Sequence, residues 1–349
     1  MTPRPLVLAL LAFALLAAVF AAGCGEKDEA PAPADLKKDR IVLLLDWFPN
    51  ADHAGIYTGI ENGAFTRQGI SLDVKVPSDP AAVIKQVAAG RADLGISYQN
   101  EVMEARDAGV KIKAIAAVVN TPLNSLIWLK KSKIGSIKDL KGKKVGTSGA
   151  YGSTFLTVML RNAGVKAGDV KQINVGYDLL PALVGGKVDA IIGAYYNVEG
   201  VQLKLRKRPA TIIPVDRGGV PKYDELVVIA SEENLKDTGR TETYRRFLAG
   251  LSGGTSAAIE DPKAAAGALV KHYDDLGKDR DFLDLSLKAT LPVLKSAEDR
   301  PFGYMDPAVW TGFAAFMRDQ GLLKKSPDAA AAYTNDHLPG QGPGDPAGE

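Results

Sequence analysis

The sequence predicts an α/β protein with two lobes, each built on a mixed, mostly parallel sheet flanked by helices. Short apolar runs alternate with stretches of helical spacing along most of the chain, which is typical of α/β folds. One pattern also occurs twice, as AAGRADLGI from Ala88 and as VGGKVDAII from Val184. In both copies a helix ends on glycine, and a basic residue, an aspartate and an apolar strand follow. Each lobe is therefore predicted to carry one such helix-to-strand unit.

The composition is that of a globular protein with a substantial core. The 349 residues are 46% hydrophobic and 24% charged, and 43 basic residues against 41 acidic residues leave a formal net charge of +2. A charge this small provides no strong field to attract nucleic acid. We therefore predict a protein without a nucleic-acid partner.

The N-terminal residues predict export. Arg4 precedes an uninterrupted apolar run from Leu6 to Ala22, which is the order found in signal peptides and assigns residues 1–23 to one. The small residues before Cys24 resemble a bacterial lipobox, although alanine stands at its first position, where leucine is usual. The alternative is a transmembrane anchor, because a span needs about 17 to 25 apolar residues and this run is at the short end.

The cysteine content supports lipidation at Cys24. It is the only cysteine in the sequence, so no disulfide can form within the chain, and it stands where lipidation would use it. Residues 24–39 are charged and rich in alanine and proline, which predicts a flexible tether. Together these segments predict a lipid-anchored protein of the cell envelope, in the periplasm or on the outer face of the cytoplasmic membrane.

The first lobe is predicted from residues 40–129 and 226–338. Its strands are the apolar runs at 41–45, 72–76, 94–97 and 115–119. Ser78, Asp79 and Pro80 combine a candidate N-cap with a proline in the first turn, so they begin a helix, which ends at Gly90. From Thr241 to Gln320 the apolar spacing is helical, which predicts a helical part that caps this lobe.

The second lobe is predicted from residues 130–225. The lysine-rich segment 129–146 is interpreted as the crossing from the first lobe into a strand at 144–147. Further strands are predicted near 172–175 and 190–193, and the segment around 217–222 then crosses back to an apolar strand at 226–230. Residues 339–349 form a disordered tail by composition.

Two lobes joined by two crossings imply a cleft, and ligands of such sheets bind beyond the carboxyl ends of the strands. Four segments that include these strand ends are LDWFPNADHAGIYTGIENGAF, GRADLGISYQNEV, LKGKKVGTSGAYGSTF and GGKVDAIIGAYYNVEGVQL. In this order they resemble the family of periplasmic binding proteins for thiamine pyrimidine precursors, over most of residues 40–335. The resemblance implies the type II periplasmic-binding-protein fold, whose lobes close on a ligand by a hinge, and an ABC permease as partner.

The first strand end supplies three candidate ligand-binding residues. The indole of Trp47 can stack on a heteroaromatic ring, a contact worth about 0.5 to 1.5 kcal/mol beyond area burial, or else it fills the core of its own lobe. Asn50 offers donors and an acceptor to a pyrimidine, or else it is a turn residue after Pro49. The resemblance places His53 where fungal enzymes of the family keep a histidine that serves as a pyrimidine source. From the sequence alone this histidine is a binding residue, a cap or a packing partner.

Other strand ends supply the remaining candidates. The glycine-rich segment 146–155 can hold an anion or a carbonyl oxygen on free N–H groups at a helix start, and it does not match the phosphate-loop pattern. Tyr195 and Glu199 are four residues apart and would share a face if a helix starts there, and the carboxylate can accept from an exocyclic amine unless it is merely solvated. The full set of further candidates is Tyr98, Gln99, Asn100, Gly149, Tyr151, Gly152, Ser153, Tyr195, Asn197 and Glu199, whereas Trp128 and Trp310 are predicted core residues.

The predicted function is that of a monomeric solute receptor for an ABC importer, which binds formylaminopyrimidine or a similar thiamine precursor. A receptor for riboflavin, another flat heterocycle or a sulfonate is the alternative, although an anion receptor would be expected to place cations at the cleft. A pyrimidine synthase-like enzyme is less favoured. The resemblance implies that such fungal enzymes need iron and carry clustered cysteines, whereas His272 and His337 lie outside the matched segments here and no metal, cofactor or catalytic set is predicted.

Overall fold

The computed structural model describes residues 39–297, 299–325 and 328–340 of the 349-residue chain. The predicted signal peptide, Cys24 and the tether up to residue 38 lie outside the described residues, and so does the tail from residue 341. The side chains of Pro80, Ala150 and Tyr151 also lie outside them. Within the described part of the chain, no helix combines the length and the apolar character needed to cross a membrane.

Ten strands form two five-stranded sheets, in the order β2-β1-β3-β10-β4 and β7-β6-β8-β5-β9. The strands are β1 Asp39–Leu44, β2 Ile70–Lys75, β3 Leu94–Ser97, β4 Ile112–Val119, β5 Asn124–Leu129, β6 Lys144–Thr147, β7 Lys171–Asn174, β8 Ala190–Tyr195, β9 Ala210–Pro214 and β10 Leu226–Ser231. This arrangement confirms the predicted α/β class with two mixed sheets.

One strand in each sheet runs against the other four. In the first sheet β1 is parallel to β2 and to β3, with Leu43 opposite Leu94, whereas β10 is antiparallel to β3 and β4. In the second sheet β6 is parallel to β7 and β8, whereas β5 is antiparallel to β8 and β9. The reversed strand is in each case the one through which the chain enters from the other sheet.

Helices cover the two sheets and connect their strands. The α-helices are α1 Ala54–Glu61, α2 Ala64–Arg67, α3 Val83–Ala88, α4 Gln99–Asp107, α5 Ala150–Asn162, α6 Leu179–Val184, α7 Glu199–Leu205, α8 Thr238–Glu260, α9 Pro262–His272, α10 Arg280–Leu294 and α11 Pro307–Asp319. Short 3-10 helices lie at Ala51–His53, Pro80–Ala82, Lys130–Ser132, Ile137–Leu140, Ala167–Asp169, Val215–Gly218, Asn234–Lys236, Asp274–Lys278 and Ala330–Ala332. Helices α8 and α9 pack on α1 in the first lobe, and α10 contacts both the 3-10 helix Ala51–His53 and α7 of the second lobe.

The structure moves the predicted boundary between the lobes. Strand β5 belongs to the second sheet, so the first crossing lies at residues 120–123 rather than after residue 129. The lysine-rich segment 129–146 therefore lies inside the second lobe. Strands β4 and β5 are both continuous apolar runs with a short connection, and such runs carry no sign of which sheet each one joins. The second crossing lies between β9 and β10.

Glu225 ties the two crossings together. Its carboxylate accepts hydrogen bonds from the backbone N–H groups of Leu123 in the first crossing and of Asn124 at the start of β5, the second at 2.8 Å, and from the Tyr223 hydroxyl at 2.9 Å. The side chain is fully buried. These donors offset the desolvation of the buried carboxylate. Because the donors come from both crossings, Glu225 holds the two crossings in a defined position at the hinge.

Close packing of α1 on α8 fixes the segment that precedes α1. A Cβ atom at Gly254 of α8 would lie 2.2 Å from the carbonyl oxygen of Gly55 and 2.6 Å from the Cα of Gly59. Only glycine permits this approach of two helices. The residues between β1 and α1 are therefore held against a rigid pair of helices.

Candidate ligand-binding site

A small pocket lies between the two sheets. It encloses about 300 Å³, including the space open at its mouth, and it is lined by Asp46, Trp47, Asn50, Tyr98, Gly193, Tyr195, Val198 and Glu199. The first four residues come from the first lobe and the last four from the second. Closure of the lobes would therefore enclose a ligand here on both sides.

A larger cavity of about 780 Å³ lies beside the second crossing, between Lys222 and Tyr304. Its walls come from the first lobe, from the crossings and from the loop after α10. It therefore lacks the two-sided lining that a cleft ligand needs, and we place the candidate site in the smaller pocket.

The pocket residues follow the carboxyl ends of neighbouring parallel strands. Asp46 and Trp47 come just after β1, and Tyr98 comes directly after β3, which lies next to β1 in the first sheet. On the other side, Tyr195 ends β8 and Glu199 begins α7. The strand ends thus bring together side chains that are far apart in the sequence, as the fold class predicts.

Asp46 is held by two donors from its own lobe. One carboxylate oxygen accepts from the Tyr98 hydroxyl at 2.8 Å, and the other lies 3.0 Å from His53 Nε2. All three side chains are buried. The nearby carboxylate and the burial raise the pKa of Tyr98 well above its ordinary value, with burial as the larger cause, so Tyr98 stays a donor to Asp46.

His53 lies behind Asp46 and does not line the pocket. Its Nδ1 accepts from the backbone N–H of Asn50 at 3.2 Å, so the ring proton is on Nε2 and points to Asp46. The Asn50 side chain accepts from the N–H of Asp52 at 2.8 Å, and Asn50 and His53 form a capping box with each other. Both ring nitrogens of His53 are used in positioning Asp46.

Glu199 lies on the opposite wall of the pocket. It accepts from the backbone N–H of Tyr195 at 2.7 Å. Burial raises the pKa of Glu199 to about 7, although the hydrogen bonds from backbone N–H groups oppose the shift. Near neutral pH this carboxyl can therefore either donate or accept a hydrogen bond.

Trp47 reaches from the first lobe to the second. It packs against the core of the second lobe, and its ring meets Tyr177 edge-on with the centroids 4.7 Å apart. The Tyr177 hydroxyl crosses back to the Pro77 carbonyl at 2.8 Å, and its ring also contacts Phe48 at 4.5 Å. These aromatic contacts span the cleft next to the pocket.

The pocket is acidic and aromatic. Asp46 and Glu199 are its charged lining residues, and no lysine or arginine is among the lining residues that the structure describes. Two further carboxyls stand nearby on α4, where burial raises the pKa of Glu101 to about 8 and also raises the pKa of Glu104. Such a site favours a flat ligand that carries hydrogen-bond donors or a positive charge.

Several predicted residues lie outside the pocket lining. Gln99 is fully buried at the hinge, where it accepts from the backbone N–H of Asp224 at 2.7 Å, and Asn100 is buried beside it. Asn197 points into the first lobe. Gly152 packs on β8, where a Cβ atom would lie 2.9 Å from the Ile192 carbonyl oxygen.

The glycine-rich turn is likewise not part of the pocket lining. Gly149 has a φ of 80° at the N-cap of α5, a conformation that favours glycine. Ser153 donates to its carbonyl at 3.3 Å. The side chain of Tyr151 lies outside what the structure describes. The predicted core residues Trp128 and Trp310 are fully buried, which confirms that prediction.

Sequence reasoning missed several residues of the site and hinge. Asp46, directly after an apolar strand, carries the signal of a cleft-wall residue, but no binding role was predicted for it. Val198 lines the pocket but was not predicted to, although it stands between the candidates Asn197 and Glu199. Glu225 could have been found as an acid directly before an apolar strand. Tyr177 had no local signal, because the residues that it meets at the cleft, Trp47, Phe48 and Pro77, belong to the other lobe.

Fold and site together define a class of protein. Two α/β lobes joined at a hinge, with a pocket between the strand ends, form the fold of the periplasmic binding proteins. Among solved structures, the alkanesulfonate-binding protein SsuA of Xanthomonas axonopodis pv. citri matches with a TM-score of 0.67 at 16% identity, over 85% of this chain and 99% of that chain. At this identity the match shows the fold alone.

The sequence then defines the family. The NMT1/THI5-like family model matches residues 50–265. A Haemophilus influenzae protein named for thiamine biosynthesis is 34% identical over 290 residues, or 83% of this chain and 90% of that protein. The formylaminopyrimidine-binding protein of Halalkalibacterium halodurans is 31% identical over 325 residues, or 92% and 96% of the two chains. The chain belongs to the NMT1/THI5-like family.

The family also includes proteins named as enzymes. The 4-amino-5-hydroxymethyl-2-methylpyrimidine phosphate synthase of Uromyces fabae is 25% identical over 320 residues, which are 87% of this chain and 89% of that protein. Among the described residues, no group of three or more His, Cys, Asp or Glu side chains is arranged to hold a metal ion.

Proposed function

We propose that this chain is the lipid-anchored solute receptor of an ABC importer, and that it binds formylaminopyrimidine or a closely related thiamine precursor. The observation that carries the proposal is the character of the pocket between the lobes, which has aromatic rings, two carboxylates and no cationic lining residue among those described. The name of the Halalkalibacterium relative supports the ligand class. The predicted N-terminal signal peptide and Cys24 support the anchor.

Each part of an aminopyrimidine has a counterpart in the pocket. The flat ring suits the Trp47 indole, since aromatic faces stack with an offset. The exocyclic amine suits Glu199, which lies on the opposite wall. A protonated ring nitrogen would gain a charge-assisted hydrogen bond with a carboxylate.

The same lining argues against a sulfonate. A sulfonate needs cationic or N–H donors, yet Asp46 and Glu199 would repel it. The synthase-like alternative is also weakened, because His53 is buried behind Asp46 with both ring nitrogens hydrogen-bonded. A histidine that is consumed as a substrate would have to reach the pocket.

Calorimetric titration of the full-length protein with a set of solutes tests the proposal. We expect heat from formylaminopyrimidine and from hydroxymethylpyrimidine, and none from taurine. Riboflavin serves as the control ligand, because it is a flat heterocycle that lacks a primary aminopyrimidine. Tight binding of taurine, or of riboflavin alone, would contradict the assigned ligand class.

A further inference from the structure

Asn197 forms a polar contact between the lobes. It follows β8 of the second lobe, yet its Nδ2 donates to Asp52 Oδ1 of the first lobe at 2.8 Å and to Thr290 Oγ1 of α10 at 2.7 Å. Ser286 of α10 donates to its backbone carbonyl at 2.8 Å. All four side chains are buried. The contact therefore exists only when the lobes are together.

The Asp52–Asn197 contact leaves two acceptors without a donor. Asp52 Oδ2 and Asn197 Oδ1 are both buried and have no hydrogen-bond partner among the described residues. An ionised carboxylate cannot donate, so these two oxygens cannot satisfy each other. One proton on Asp52 Oδ2 turns that oxygen into a donor, so it no longer adds a second buried acceptor without a donor next to Asn197 Oδ1.

We propose that closure of the lobes takes up one proton, held by Asp52 in its contact with Asn197. The open form leaves Asp52 solvated and ionised, and the closed form buries it as a neutral acid. Asp52 and Asn197 are thus positioning residues for closure and do not touch the ligand. The inference rests on the proposed function in one respect, namely that a ligand acts by closing the lobes.

The groups around Asp52 agree with this assignment. Burial raises the pKa of Asp52 to about 7 from an ordinary value of 3.8, while His53 and the hydrogen bond from Asn197 oppose the rise and Asp46 and Glu199 add to it. Other titratable or charged groups on the adjoining elements are Tyr196 of the second lobe, Tyr57 and Glu61 on α1, where Glu61 pairs with Lys271, and the exposed Asp284 and Lys288 on α10. No cation of these elements lies against the Asp52 carboxyl in a described ion pair.

The sign of the effect follows from the two protonation states. Between about pH 4 and pH 7, the closed form binds one more proton than the open form, so closure weakens as the pH rises. The full effect is about tenfold in the closing equilibrium per pH unit. Above pH 7 both forms are ionised and the dependence levels off.

Distance measurements in the ligand-free protein test the closure directly. Spin labels are placed by Lys85→Cys on the first lobe and Lys187→Cys on the second, two exposed positions, in a full-length Cys24→Ser background. We expect the fraction of the short distance to fall between pH 5 and pH 7. With Asp52→Asn, whose amide supplies the missing donor permanently, the short distance should persist at pH 8.

Thr290→Val is the matched control. It removes a hydrogen bond to the same Asn197 Nδ2 but no titratable group, so closure should weaken equally at every pH. Asn197→Asp places two carboxyls together and should weaken closure further at pH 8 than at pH 5. This second variant tests the proposal independently if Asp52→Asn fails to fold.

Calorimetry with formylaminopyrimidine in buffers of different ionisation enthalpy counts the protons taken up on binding. At pH 6 we expect the wild type to take up as much as one proton more than Asp52→Asn. An equal proton uptake, or an unchanged pH dependence of the spin-label distance in Asp52→Asn, would overturn the proposal. If formylaminopyrimidine does not bind, the distances in the ligand-free protein still test whether closure takes up a proton. Failure of the proposed ligand and failure of the proposed proton uptake can therefore be told apart.

Discussion

Asp46 and Tyr98 stand at the ends of neighbouring parallel strands and share a hydrogen bond of 2.8 Å across 52 positions of sequence. This contact fixes one carboxylate of the pocket, and His53 fixes it from behind. On the other wall, the backbone N–H of Tyr195 holds Glu199. The two acidic groups of the pocket are therefore positioned before a ligand arrives, which lowers the entropy cost of binding.

Trp47→Ala should weaken formylaminopyrimidine binding, and because Trp47 is only partly buried where it packs on the second lobe, it should lower the melting temperature less than the loss of a fully buried tryptophan would. The aromatic term alone is about 0.5 to 1.5 kcal/mol, or roughly two- to tenfold in Kd, and loss of buried area adds to it. Calorimetry gives the affinity and a thermal melt gives the stability. Trp128→Phe is the control, because Trp128 is fully buried and donates to the Ile134 carbonyl. This variant should lower the melting temperature more than it lowers the affinity. An unchanged affinity in Trp47→Ala would remove Trp47 from the site.

Glu199→Gln should weaken binding of an aminopyrimidine at pH 8. A hydrogen bond to a charged group contributes about 1.5 to 3 kcal/mol, so we expect a loss of roughly tenfold or more in Kd by calorimetry. The defect should shrink at pH 5, where the wild-type carboxyl, with its pKa of about 7, is itself neutral. An equal loss at both pH values would contradict a role for the ionised form.

Glu199→Gln should also make the stability of the ligand-free protein less dependent on pH. The raised pKa of Glu199 means that the folded state binds more protons than the unfolded state between about pH 4.5 and pH 7. The free energy of unfolding therefore falls as the pH rises through this range. In thermal melts without ligand, Glu199→Gln should lose less stability than the wild type between pH 5 and pH 8.

His53→Ala should lower both stability and affinity, although His53 does not line the pocket. It leaves the buried N–H of Asn50 and one oxygen of Asp46 without a partner, a cost of about 1 to 3 kcal/mol for each buried group. Chemical denaturation measures the first effect and calorimetry the second. His272→Ala is the control, because its pair with Glu61 is partly exposed and such pairs contribute about 0 to 1 kcal/mol.

Glu225→Gln should destabilise the hinge. The N–H groups of Leu123 and Asn124 and the Tyr223 hydroxyl all donate to one carboxylate oxygen, and the uncharged amide oxygen of glutamine would accept these hydrogen bonds more weakly. The expected loss is about 1 to 3 kcal/mol in the free energy of unfolding, measured by denaturant titration. Glu232→Gln, at a partly exposed ion pair with Arg106, should cost less. A hinge variant as stable as the wild type would contradict the structural role assigned to Glu225.

Cys24→Ala should abolish lipidation. Labelled fatty acid should enter the wild-type protein in growing bacteria and be absent from the variant, because the thiol is the only one in the chain. Gel autoradiography of the purified proteins gives the answer. Labelling of the variant would rule out the lipobox interpretation.

Strong local patterns made much of the fold predictable. The apolar runs that became β1, β3, β6 and β10 are bounded by turn residues, and the repeated glycine-to-strand unit marked both sheets. The polar residues after these strands were predictable as cleft residues for the same reason, since parallel strands bring their carboxyl ends to one edge. Trp47, Asn50, Tyr98, Tyr195 and Glu199 are the predicted residues that line the pocket.

Tertiary structure alone decided the rest. Strand β5 joined the second sheet because its partners β8 and β9 lie there, and an apolar run does not encode its partner. Asn197 became a contact between lobes because its Nδ2 donates to Asp52, and His53 became a support for Asp46 because both of its ring nitrogens are hydrogen-bonded. The sequence determined which side chains stand at the strand ends. The packing of the lobes determined which of them face a ligand, since most buried polar groups find a partner and that partner is set by the fold.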